Sequence, residues 1–243
     1  MKKSILALLI VINLNCSSSK KNLKENIVVN YKVNNISSKT TTPKYDPSTL
    51  DFELVYDNET SLFQIVNKLN NDDNTLDNKI TKIIYGGNFI YYKNKYEKIT
   101  LFNVDNGNDI YNVVTNFEEY NWKINPNETK EISGYKCYKA TANTERKYNG
   151  EVQETFESFA WFTYEIPTSF GPRGLDGLPG LVLEGSFDGK IFFYATSITK
   201  SNINIKKPSS NKTISFDEFS NLMYDRSQDR KKVQQDIKVE TKK

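Results

Sequence analysis

Apolar and polar residues alternate along most of this chain with a period of two, which is the signature of strands with one buried face. Ile27, Val29, Tyr31 and Val33 open the series, and Phe52, Leu54 and Tyr56 form a second alternating run. Leu62, Phe63, Ile65 and Val66 make a third, with Asn58-Glu59 at the turn before it. The apolar stretch Ile80–Tyr85 and Phe89–Tyr92, split by Gly86-Gly87, has the form of a hairpin. Lys98–Val104 and Ile110–Val114 flank a polar turn, and Tyr120–Ile124 is a short strand stopped by Pro126. Tyr135–Ala142 and Phe156–Ile166 are joined around Asn149-Gly150, and Leu181–Phe187 and Lys190–Ile198 around Asp188-Gly189. Residues 34–49 and 67–78 are polar and predict loops.

Only one segment has helical periodicity. Ser215-Phe216-Asp217-Glu218 is a capping box, and Phe216, Phe219, Leu222 and Met223 follow at helical spacing. Residues 225–243 lose that periodicity and predict a charged, fraying tail. The expected fold is therefore mainly β: a curved antiparallel sheet or open half-barrel with a C-terminal helix, formed by a single domain over 26–224. Such a sheet can enclose a concave face, and 15 Tyr and 14 Phe are available to line it or to fill it.

The first 25 residues have a different character. Lys2-Lys3 precede an apolar run from Ile5 to Leu14, roughly 10 residues against the about 20 needed to span a bilayer. That layout predicts a signal peptide over 1–15 and a polar tether over 16–25. Cys16 stands at the junction and is a candidate acylation site. Its position and the Ser17-Ser18-Ser19-Lys20-Lys21 tether favour lipidation, whereas Asn13 and Asn15 depart from the usual lipoprotein box, so ordinary cleavage is the alternative. The expected location is the periplasm, or the outer membrane facing the periplasm, with the membrane reached through an acyl anchor.

Composition narrows the chemistry. The net charge of +3 gives no field suited to nucleic acid. The chain has no histidine, which removes Ser-His-Asp and Cys-His catalysis and His-ligated zinc. Cys137 has no partner if Cys16 is acylated, and its setting in Gly134-Tyr135-Lys136-Cys137-Tyr138 marks it as a buried core thiol. Asp72, Asp73 and Asp77 lack calcium-loop spacing, and Glu151, Glu154 and Glu157 alternate faces of a strand. The reading is non-enzymatic, with no cofactor and no metal.

The distinctive stretch runs from Trp161 through Pro167, Gly171 and Pro172 to Gly177-Leu178-Pro179-Gly180-Leu181-Val182. Three prolines and four glycines within 167–180 break the strand into a shaped loop, which Leu178 and Leu181 would anchor on the core. The hexapeptide resembles the signature of the GLPGLI family of bacterial envelope proteins, with Val182 in place of the last Ile. Gly134–Ala140, Ala160–Thr163, Ile166-Pro167 and Gly171-Pro172 fit the same pattern. That family has no established activity. Its genes often lie beside TonB-dependent outer-membrane receptors, and its layout is similar to the LolA-like half-barrel. The resemblance implies an envelope protein, either a carrier for an apolar or peptide ligand or an accessory to such a receptor. The loop itself either gates or docks, or simply shapes the sheet.

Overall fold

The computed structural model describes residues 26–35, 45–66, 75–106, 109–118 and 120–240. The expected signal peptide, the tether, Cys16, Asp72 and Asp73 lie outside these residues. Twelve strands form a single open sheet: β1 (Asn26–Asn35), β2 (Asp51–Tyr56), β3 (Thr60–Ile65), β4 (Phe89–Asn94), β5 (Ile99–Asp105), β6 (Ile110–Val114), β7 (Lys123–Ile132), β8 (Tyr135–Tyr148), β9 (Glu151–Thr163), β10 (Leu181–Ser186), β11 (Ile191–Ser201) and β12 (Lys212–Ser215). The spatial order is β12-β6-β5-β4-β3-β2-β1-β11-β10-β9-β8-β7. Two α-helices accompany it among the described residues, α1 (Leu76–Ile84) and α2 (Phe216–Glu240).

Two meanders meet where β1 pairs with β11. Every pairing is antiparallel except β12 on β6. The turn chemistry sets the hairpins: Asn149 and Gly150 both have positive φ, 48° and 81°, the geometry that matches the strand twist between β8 and β9. Ser133 and Gly134 repeat it between β7 and β8.

The sheet is curled. Helix α2 follows β12 at one edge and also packs on β8, next to the opposite edge. Ser220 Oγ donates to the Lys147 carbonyl at 2.9 Å, Tyr148 donates to Asp225 at 2.9 Å, and Tyr148 stacks on Tyr224. On the concave side, Tyr31, Phe52, Leu54, Phe63 and Phe193 form the centre of the core, all at most 2 % exposed. The phenol of Tyr31 is buried there and donates to the Val182 carbonyl at 2.6 Å, beside an irregularity in the β9–β10 pairing.

Several elements differ from the sequence reading. The β-branched run in 80–85 suggests a strand, but residues 76–84 are helical, because Thr75 Oγ1 accepts from Asn78 N and Asp77 and Lys82 suit the two ends of the helix dipole. Residues 120–122 are not strand, and β7 instead starts at Lys123 and runs past Pro126. This works because β7 is the sheet's edge, and residues 126–128 bulge out of its register. Strand β12 has too few apolar positions to show in the sequence. Helix α2 continues to Glu240, so the backbone of the charged stretch after 225 is helical although its apolar periodicity has ended. The capping box is present: Ser215 N donates to Glu218 Oε2 at 2.7 Å, and Glu218 N to Ser215 Oγ at 3.2 Å.

Candidate functional site

The Gly/Pro loop between β9 and β10 folds inward and occupies part of the concave face. Phe170 and Leu175 are fully buried, and Leu178 is 1 % exposed. Glycine is required where this loop meets the sheet. A Cβ on Gly180 would lie 1.9 Å from the Thr163 carbonyl oxygen, and one on Gly171 would lie 2.3 Å from that of Leu175. Asp176 ties the loop together, accepting from Gly171 N at 2.9 Å and facing Lys93 Nζ at 3.6 Å. Burial pushes the Asp176 carboxyl upward, opposed by Lys93 and the Gly171 amide. The Asp176 carbonyl accepts from Trp122 Nε1 at 2.8 Å.

The loop does not fill the interior. Between it, the curled sheet and α2 remains a partly open cavity of about 480 Å³. Its wall is rich in aromatic side chains. Phe89, Tyr91 and Phe102 come from β4 and β5, Phe187 from the β10–β11 turn, and Phe219 and Met223 from α2. Phe102 and Phe219 meet edge to face at 5.3 Å, which fixes the helix on the sheet. Residues 144–148 of β8 form the opposite side.

One charged residue of the loop belongs to this wall. Arg173 has φ 54° and ψ 33°, left-handed backbone that a non-glycine residue rarely adopts. Its guanidinium lies between two other wall residues. Nε donates to Tyr91 Oη at 3.3 Å, and Cζ stands 6.0 Å from the Phe187 ring centre. Its Nη1 is shut off from solvent and has no hydrogen-bond partner. The hydroxyl oxygens of Thr100 and Thr115, two further wall residues, are also buried without partners. Unpaired buried polar atoms are costly and uncommon, so three in one wall distinguish this cavity. A second cavity of about 340 Å³ adjoins it at Tyr120 and Gly174. Of its two lysines, Lys93 is committed to the Phe117 carbonyl at 3.0 Å and to Asp176, and Lys95 stands over the Phe170 ring at 4.6 Å.

The residues singled out from sequence hold the loop rather than line the main cavity. Gly171, Pro172, Leu178, Gly180 and Leu181 are buried, and Pro167, Gly177 and Pro179 are exposed. Gly177 borders the second cavity. Trp161 sits on β9 beneath Lys130, whose Nζ is 4.4 Å from the ring centre and 2.7 Å from Glu184. The sequence reading expected aromatic residues to line or fill the concave face but named none of them, and it missed Arg173. The one local signal for Arg173 is an arginine set inside Gly171-Pro172-Arg173-Gly174. Among the described residues no cluster of His, Cys, Asp or Glu could hold a metal, and no helix is long and apolar enough to cross a membrane.

No curated protein matches the chain. Its fold is similar to solved structures of PNGF-II. The P21 form aligns with a TM-score of 0.51 at 18% identity, covering 82% of this chain and 33% of that one. The C2 form aligns at 0.49 and 17%, covering 81% and 32%. The chain thus spans about a third of the length of those structures, and at this identity the likeness concerns the fold alone. Residues 143–184, which run from β8 through β9 and the whole interior loop into β10, match the family described as "Protein of unknown function (Porph_ging)".

Proposed function

We propose that this is a non-enzymatic binding or carrier protein of the bacterial cell envelope that holds an apolar or peptide ligand in the cavity beneath α2. The observation that carries the reading is the aromatic cavity of about 480 Å³, which falls within the range of about 300–1,000 Å³ typical of ligand sites. The interior loop acts as the floor of that site, and α2 as one wall. The test uses delipidated full-length protein and the neutral fluorophore N-phenyl-1-naphthylamine. Saturable binding is expected, and Met223→Trp, which narrows the cavity from α2, should weaken it. Absence of saturable binding by the wild type rejects the reading.

The envelope location belongs to the same proposal. Metabolic labelling with a palmitate analogue should tag the wild type and not Cys16→Ser. An unlabelled wild type leaves a cleaved periplasmic protein and rejects the acyl anchor.

A second reading, an accessory to an outer-membrane receptor, draws on α1 rather than on the loop. Leu76 and Ile83, seven residues apart and therefore on one helix face, are 72% and 60% exposed. Leu76→Ser with Ile83→Ser should then abolish co-purification of one defined membrane partner while leaving fluorophore binding intact. An unchanged partner set rejects this reading.

A further inference from the structure

We infer that the ligand of the aromatic cavity carries a single carboxylate on an apolar body, and that Arg173 is its anchor. The inference rests on the binding reading above and adds the charge and the residue that meets it. Four observations converge on it.

The first is the guanidinium itself. Five N–H donors and no acceptor make arginine suited to a carboxylate, often through two parallel bonds. Here Nε is used by Tyr91 and Nη1 is buried without a partner, while Arg173 as a whole is only partly buried and reaches the cavity with the rest of its guanidinium surface. The second is the state of the other cations in the wall. Arg146 is paired with Glu154 at 2.9 Å, and Lys147 with Glu145 at 3.2 Å. Among the described residues Arg173 has no such ion pair. The negative charge of Asp188 reaches it, but Asp188 Oδ1 accepts from the amides of Lys190 and Ile191, both at 2.9 Å. One positive charge without an ion pair among the described residues, partly offset by Asp188, matches one negative charge and not the two of a phosphate monoester.

The third observation is the backbone. Left-handed geometry at a non-glycine residue carries a steric cost, because Cβ crowds the following carbonyl oxygen. Glycine at 173 would avoid that cost, and Gly174 and Gly177 in the same loop do adopt positive φ. The side chain at 173 is therefore kept against a local conformational preference, an outlier of the kind that clusters at ligand sites. The fourth is the rest of the wall: Phe89, Phe102, Phe187, Phe219 and Met223 supply an apolar surface for the body of the ligand.

The test is displacement of N-phenyl-1-naphthylamine from the delipidated full chain by dodecanoate and by 1-dodecanol, in wild type, Arg173→Gly and Arg173→Lys. A parallel arm compares an acetylated apolar tripeptide with a free C-terminus against its amide, which separates an acyl-chain source of the carboxylate from a peptide source. Arg173→Gly removes the guanidinium and relaxes the backbone, so its urea midpoint should equal or exceed that of wild type. It should weaken the carboxylate ligand about tenfold to hundredfold, the size of a lost charge-assisted hydrogen bond. The alcohol and the fluorophore should be unaffected, and Arg173→Lys should recover part of the loss. Equal effects of Arg173→Gly on acid and alcohol, or no effect on either, overturn the anchor while the cavity reading stands. Failure of wild type to bind the fluorophore or any of the competitors overturns the cavity reading and the anchor with it.

Discussion

Gly180→Ala isolates the steric demand that holds the interior loop in place. The added Cβ would lie 1.9 Å from the oxygen and 2.6 Å from the carbon of the Thr163 carbonyl, and 3.2 Å from the Phe162 ring. Ordinary contacts begin near about 3.5 Å, so the chain must open by roughly 1.5 Å. The obstacle is backbone and cannot turn aside. Thr163 ends β9 and is in register with Leu181, the first residue of β10. Gly180 does not have positive φ, so the cost is overpacking alone, at or above the upper end of the usual range of about 1–3 kcal/mol. Gly177→Ala supplies the opposite control. Its φ is 92°, but the nearest atom to the new Cβ is 3.9 Å away, so only the backbone penalty applies, about 1–2 kcal/mol. Equilibrium urea unfolding followed by tryptophan fluorescence measures both, because Trp122 is bonded to the loop at Asp176. A Gly180→Ala variant within about 1 kcal/mol of wild type, or less damaging than Gly177→Ala, would refute the steric account.

Two further predictions concern the core around the loop. Tyr31→Phe removes the buried hydrogen bond to the Val182 carbonyl and should lower stability by about 1–3 kcal/mol in the same unfolding assay; a loss under about 0.5 kcal/mol contradicts it. Cys137 is fully buried, and burial pushes its thiol from 9.0 up to about 11. In a Cys16→Ser chain it should resist iodoacetamide at pH 8 until denaturant is added. The folded state keeps the proton that the unfolded state releases. The contribution is therefore intact below pH 9 and fades as pH rises through about 11, by up to roughly 3 kcal/mol. Cys137→Ala should flatten that part of the pH–stability curve, and an unchanged slope refutes the assignment.

Most strands were legible because burial on one face writes itself into every second residue, as at Val29, Tyr31 and Val33. Hairpins were legible wherever an Asn-Gly or Asp-Gly pair supplied the turn. Reading failed where local signals conflicted or were too short. In 80–85 the β-branched residues point to a strand, while the cap that decides for a helix lies earlier, at Thr75. Strand β12 has four residues, and one of them, Lys212, is held by Asp109, 103 positions away, through a 2.7 Å contact. No window of sequence contains that information.

The site was hidden for a related reason. The Gly/Pro loop is conspicuous because its constraints are local: two glycines whose neighbours leave no room for a Cβ, and prolines that fix φ. Those constraints position the loop but do not make the cavity. The cavity needs Phe102 from β5, Phe187 from the β10–β11 turn and Phe219 from α2, brought together only by the curl of the sheet and the helix that bridges its ends. Arg173 joins the two levels. It sits inside the constrained loop, yet its guanidinium contacts Tyr91 on β4 and approaches Phe187. The rigidity of the glycines on either side therefore has a consequence beyond the loop. It fixes where Arg173 stands, the wall arginine without an ion pair among the described residues, and a shift of about 1 Å at Gly180 would be carried seven residues back to that guanidinium. Gly180→Ala should on this reasoning weaken carboxylate binding more than binding of the neutral fluorophore, even under conditions in which the variant remains folded.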